Sequence, residues 1–165
     1  MPPAARILDP VMHPLPPVLT GGPTAVNVII GFLPAWRGIG GAGAGPLKSA
    51  KLDSEINIKK AEAATKLATG TPAQGAAELN EKKVKFEEAA KMAAMIASAA
   101  ATSDIHVCAS FPPILPPHGP GVVTTPSKSV IIRGAPAARM GDEITEAIGP
   151  PNKIVMGCVT VLIGD

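Results

Sequence analysis

Pro3-Ala4-Ala5-Arg6 returns late in the chain as Pro136-Ala137-Ala138-Arg139. The likeness runs on without a gap. Arg6 to Gly31 and Arg139 to Gly164 both span 25 positions, and Asp9 then aligns with Asp142, Pro17 with Pro150, Val26 with Val159, Val28 with Val161 and Ile30 with Ile163. A variant, Pro34-Ala35-Trp36-Arg37, lies between, and Ser129-Val130-Ile131-Ile132-Arg133-Gly134 leads into the later motif. Three like units follow. Self-similarity constrains a fold more than local propensity does, because one unit cannot bury its own apolar face and several together can. Three units around one axis predict a pseudo-threefold body.

The repeated parts, residues 1–40 and 104–165, carry short β-branched runs bounded by Gly and Pro: Val26-Asn27-Val28-Ile29-Ile30, Val130-Ile131-Ile132 and Val159-Thr160-Val161-Leu162-Ile163. Each reads as a strand, and many short strands with dense turns imply an all-β unit. The stretch from about 46 to 102 is rich in Ala, Lys and Glu instead. Pro46 suits a first helical turn. A helix of roughly 47–68, the breaker Gly70-Thr71-Pro72 and a helix of roughly 73–101 follow. Leu79, Phe86, Ala90, Ala93 and Ile96 or Ala97 recur near a helical period. Two helices with a short loop make an antiparallel hairpin, whose alanines let the helices approach closely. Gly38 to Gly45 reads as a flexible linker leading into it. The division expected is 1–40 and 104–165 as two parts of one β-domain, with 41–103 inserted. The fold class expected is mainly β.

Composition narrows the function. The chain of 165 residues holds 19 Pro and 17 Gly, is 46% hydrophobic and 2% aromatic, and has a net charge of +2. That much apolar content at so low a charge argues against disorder. The glycines follow no Gly-X-Y period, which excludes collagen. Nucleic-acid binding needs a basic stripe and usually stacking aromatics, and neither is present. Few aromatics also argue against a large aromatic-lined pocket. The start, Met1-Pro2-Pro3-Ala4-Ala5-Arg6, has no apolar signal core. The small-apolar run near Met92 to Ala101 is far short of the ~20 residues that span a bilayer. A cytoplasmic origin is expected, and there Cys108 and Cys158 are better read as thiols or a metal ligand than as a disulfide.

These residues resemble the PAAR-repeat family, the tip proteins of type VI secretion and related contractile injection systems. The resemblance rests on Pro-Ala-Ala-Arg with a nearby Asp (Arg6 and Asp9, Arg139 and Asp142). It rests also on Asp104-Ile105-His106-Val107-Cys108 followed by Pro-rich sequence and Pro117-His118-Gly119-Pro120-Gly121, and on Gly149-Pro150-Pro151 with Val159-Thr160-Val161-Leu162-Ile163-Gly164. It covers most of 1–40 and 104–165 and leaves out the helical insertion. It implies a short β-cone whose base sits on the trimeric β-helix of a valine-glycine-repeat spike protein and whose apex carries zinc. The chain departs from the pattern in reading Pro-Ala-Trp-Arg at its second motif. In its last unit Glu146 stands where the first has His13, and no Cys precedes Gly149-Pro150.

The chain's three histidines, His13, His106 and His118, all fall in the β-part, and Cys108 follows His106 by two. Positions i and i+2 of an extended segment face the same way. Three imidazoles and one thiolate make a closed tetrahedral zinc set, so the resemblance implies a structural zinc on His13, His106, Cys108 and His118. Such a metal supplies on the order of 10 kcal/mol of folding free energy to a tip with little core.

The remaining residues have plainer readings. Cys158 is expected to pack and Glu146 to be a solvated loop carboxylate. Arg6, Arg37 and Arg139 are expected to pair locally at turns. The Gly38–Gly45 run lacks the Gly-Lys-Ser/Thr of a phosphate loop. Glu78, Glu81, Lys82, Lys83, Lys85, Glu87, Glu88 and Lys91 read as a solvated helix face. The function expected is a non-catalytic spike tip, one chain per spike trimer, exported on contraction and touching the target membrane in passing. An effector or chaperone would dock on residues 46–102. The rival readings are a small zinc hydrolase or effector, and an effector adaptor working through the hairpin.

Overall fold

Proline cannot donate a backbone hydrogen bond but accepts through its carbonyl. In the computed structural model, which describes residues 1–12, 18–22, 25–108 and 118–165, the first proline of each motif accepts from the chain just beyond another copy. Ile7 N–H donates to Pro34 O (3.1 Å), Gly38 to Pro136 (2.8 Å) and Met140 to Pro3 (2.8 Å). The third residues close a smaller circle. Ala5 N–H donates to Ala138 O, Ala138 to Trp36 O and Trp36 to Ala5 O, each at 2.9 Å. Within each circle every copy donates to one neighbour and accepts from the other, and the two circles run in opposite senses, a pseudo-threefold ring in the backbone itself.

Each motif also has a strand partner. β1 (Pro3–Ala4) pairs with β10 (Cys158–Leu162), β2 (Ile29–Ile30) with β3 (Leu33–Pro34), and β6 (Ile131–Ile132) with β7 (Ala135–Pro136), all antiparallel. At the motif proline the register is common to all three: Leu162 faces Pro3, Ile29 faces Pro34 and Ile131 faces Pro136, although β1 then shifts so that Ala4 faces Cys158. A further antiparallel sheet runs β4-β5-β8-β9, built from β4 (Ile105–Cys108), β5 (Gly119–Val123), β8 (Glu143–Glu146) and β9 (Asn152–Lys153). The gapless alignment slips here. Leu19 N–H donates to Asp9 O, and the matching bond in the last unit comes from Ile154 to Asp142 O, so the last unit is two residues longer at this point. The pairing of Pro17 with Pro150 lies outside the described residues.

Two buried clusters back the ring. Ala4, Ala35 and Ala137 pack with Ile30, Ile163 and Cys158. Ala5, Ala138 and Trp36 pack with Leu19, Val123 and Ile154, and with Val11 and Ile144. The indole of Trp36 fills the space that two alanines leave.

Each Arg bends back onto an Asp. The carboxylate accepts the Arg backbone N–H at 2.6 Å in Arg6–Asp9 and 2.7 Å in Arg139–Asp142, and the guanidinium at 2.8 and 3.2 Å. Arg37 makes the same bonds, both at 2.8 Å, to Asp104, which is 67 positions away where the others span three. The Asp amide returns to the Arg carbonyl in all three, at 3.1, 3.4 and 3.1 Å. Local pairing thus holds for Arg6 and Arg139, while Arg37 reaches across the whole insertion. The insertion opens the Arg-x-x-Asp turn of the second unit. Burial pushes the Asp142 carboxyl up to about 6, against the pull of Arg139.

The inserted segment is α1 (Gly41–Ala68) and α2 (Gln74–Ala99), 28 and 26 residues long. With strands of two to five residues around it, the fold is mixed and not mainly β. The glycine run is not a linker, because α1 starts at Gly41 and holds Pro46 inside it. Burial of Ala44 and Leu47 against Met92, Ile96, Val122 and Ala147 overrides the poor helix propensity of glycine. The expected apolar stripe on α2 is also corrected. Leu79 and Phe86 are exposed, and α2 buries Met92 and Ile96. Farther out the helices approach too closely for large side chains, as Thr65 Oγ1 reaching Ala77 O at 3.2 Å records. Among the described residues no helix is long and apolar enough to cross a membrane.

Trp36→Ala removes the one large side chain at the ring. We expect a loss of about 3–5 kcal/mol, read as a lower urea midpoint at unchanged slope.

Candidate functional site

Asp9, Asp104 and Asp142 begin three equivalent runs. The second residue on is Val11, His106 or Ile144, and the fourth is His13, Cys108 or Glu146. Val11 and Ile144 belong to the cluster around Trp36, and His106 is buried like them. A histidine therefore occupies a core position of the repeat. Its Nδ1 accepts the Thr20 N–H at 3.3 Å, which assigns the ring proton to Nε2. Nε2 lies 3.5 Å from Glu146 Oε1.

The strand register explains that approach. His106 on β4 faces Gly121 on β5, and Gly121 faces Glu146 on β8. A Cβ on Gly121 would lie 2.8 Å from Glu146 Cγ and 3.0 Å from Ile144 Cγ2. The missing side chain is what lets Glu146 lean across the middle strand. His118, just before β5, adds the second contact, Nδ1 to Glu146 Oε2 at 2.9 Å. One buried carboxylate thus meets two imidazoles. Glu146 is therefore not the solvated loop carboxylate expected, because its place in the repeat points inward.

The helical hairpin reaches this site. Lys48 Nζ pairs with Glu143 Oε2 at 3.0 Å, and buried Lys51 donates to Ala147 O at 3.1 Å. Burial lowers the Lys51 pKa, opposed by the charges of Glu55 and Glu146. Beside His118 a groove of about 410 Å³ runs between Phe86, Ala90 and Ala93 of α2 and Pro120 and Ile148.

Of the four expected metal ligands, His106 and His118 are gathered on Glu146. Cys108 ends β4, but its side chain and all of His13 lie outside the described residues. Among the described residues no three His, Cys, Asp or Glu side chains form a group that could hold a metal. Glu146 is the residue that sequence reasoning undervalued. Its signal was there, in the alignment that sets it against His13.

A second feature follows the threefold pattern. Ile29, Ile131 and Leu162, each opposite a motif proline, are 54, 56 and 51% exposed. Ile30, Ile132 and Ile163, one residue on, pack inward. Two of the three corners are two-residue turns, Gly31-Phe32 and Arg133-Gly134, with φ of 52°, 71°, 48° and 81°. Positive φ at both positions is the hairpin turn that matches strand twist.

No protein-family model matches the chain, and no curated protein or solved structure does.

Gly121→Ala forces Glu146 off β5. We expect a loss of about 1–3 kcal/mol from overpacking, measured by thermal unfolding, with shifted His106 and His118 ring-proton resonances in NMR.

Proposed function

We propose that this chain is a spike-tip protein that caps a threefold-symmetric partner, the trimeric valine-glycine-repeat spike to which the PAAR resemblance points. The observation that carries the reading is the ring of three 2.9 Å hydrogen bonds through Ala5, Trp36 and Ala138. A single chain that repeats itself about an axis presents one kind of surface three times. The near-equal exposure of Ile29, Ile131 and Leu162 is such a surface. A cyclic trimer offers three copies of one patch around its axis, and one pseudo-threefold chain can cover all three and shield their strand edges. The work is mechanical, to close and stiffen the puncturing end. The protein is assembled in the cytoplasm, is expelled with the spike and meets the target membrane only in passing. The hairpin leaves the β-body at a single turn, so it is available to an effector or chaperone.

The resemblance also implies zinc on His13, His106, Cys108 and His118, and the chemistry of the donors here suits it, with Glu146 beside them. Position in the repeat groups His13, Cys108 and Glu146, and His118 lies against Glu146. Imidazole, thiolate and carboxylate are all zinc ligands. His106 brings its Nε2 to 3.5 Å from Glu146 Oε1, beside the same donors. The metal would tie the three units together at this end.

Light scattering of the chain mixed with a purified valine-glycine-repeat spike trimer is expected to give one tip chain per trimer. A variant with residues 41–103 replaced by a two-residue turn is expected to give the same. Three tip chains per trimer would overturn the reading. Elemental analysis is expected to find about one zinc per chain, lost in Cys108→Ala and Glu146→Ala. A metal-free wild-type protein removes the zinc and leaves the capping to be judged by stoichiometry.

A further inference from the structure

The corners of the threefold surface are not alike. At the second turn position two of the units carry Phe32 and Gly134, and in the last unit Asp165 aligns with Phe32. Phe32 has φ 71°, a left-handed backbone that a bulky side chain adopts at a cost and that glycine adopts freely, as Gly134 does at φ 81°. The turn would be relaxed with glycine there. Phe32 is also 97% exposed, in a chain with three Phe, one Trp and no Tyr. Val26 and Ile29, from the same unit, are exposed at 65 and 54% and supply further apolar surface. A strained backbone and an aromatic ring wholly in water both work against the isolated protein. Such an outlier points towards function, and aromatic side chains, Phe among them, are enriched in interface cores.

We infer that Phe32 is the anchor of the capping interface, inserting into an apolar pocket on one subunit of the trimeric spike. The inference rests on the capping reading and adds to it the residue that sets affinity and breaks the symmetry. The trimer offers the pocket three times. The chain fills it once, because its other two corners bring Gly134 and Asp165. The isoleucines and Leu162 make the contacts shared by all three subunits, and Phe32 makes the contact that only one subunit receives.

The test compares Phe32→Gly with Arg133→Gly, the corresponding change at the other turn, in binding to the purified valine-glycine-repeat spike trimer by calorimetry. Phe32→Gly is expected to raise Tm by relaxing the turn and to weaken binding about tenfold or more. Arg133→Gly is expected to stay within about twofold of wild type. A gain in stability alongside a loss of affinity separates an anchor from a residue that merely supports the fold. If Phe32→Gly weakens binding less than about tenfold while the wild type binds the trimer, the anchor is wrong and the capping reading stands. A wild-type chain that does not bind the trimer at all ends both.

Discussion

Three backbone hydrogen bonds, from Ala5 to Ala138, Ala138 to Trp36 and Trp36 to Ala5, join the start of the chain to its end and both to its middle. Each contributes only about 1 kcal/mol net, so the ring does not hold by itself. It is held by what lies on either side of it. The small alanines let the backbones meet, Trp36 fills the space they leave, and the isoleucines of the paired strands close the other face. The equal registers at Pro3, Pro34 and Pro136 and the corners beyond them all depend on that closure.

The insertion shows how local the requirement for continuity is. The second unit needs an Arg and an Asp at one turn, and it obtains them from Arg37 and Asp104 with two helices between. An antiparallel hairpin returns the chain to where it left, so the pair forms as if adjacent, and the entropy of closing a long connection grows only slowly with length. The pair is fully buried. Two desolvated charges stabilise little when replaced together, and leaving one without the other is costly. They therefore act as a clasp that specifies where the hairpin must start and end. Lys48 and Lys51 then fasten the hairpin along β8, next to Glu146.

The threefold pattern supplies the scaffold, and the departures from it supply the chemistry. Trp36 replaces an alanine and fills the centre. His106 replaces a core aliphatic and, with His118, meets Glu146. Phe32 stands where another unit has glycine. Each departure is made in one unit, so the ring is disturbed in one place at a time while the other two units keep it closed.

Much of this was legible in the sequence. The motif and its spacing determined three units, the strands at Ile29–Ile30, Ile131–Ile132 and Cys158–Leu162 and the two helices, but not the sheet of β4, β5, β8 and β9. Arg6 and Arg139 declared their partners three residues on. The rest was decided by tertiary structure. Arg37 could not be assigned to Asp104 from a separation of 67 positions, since nothing local joins them. Gly41 to Gly45 is helical because Ala44 and Leu47 are buried by α2 and β5, and not by propensity. Glu146 and His106 meet because Gly121, on the strand between them, has no side chain to keep them apart. A sequence shows which residues carry charge, but only the packed neighbours show which of those charges leave water.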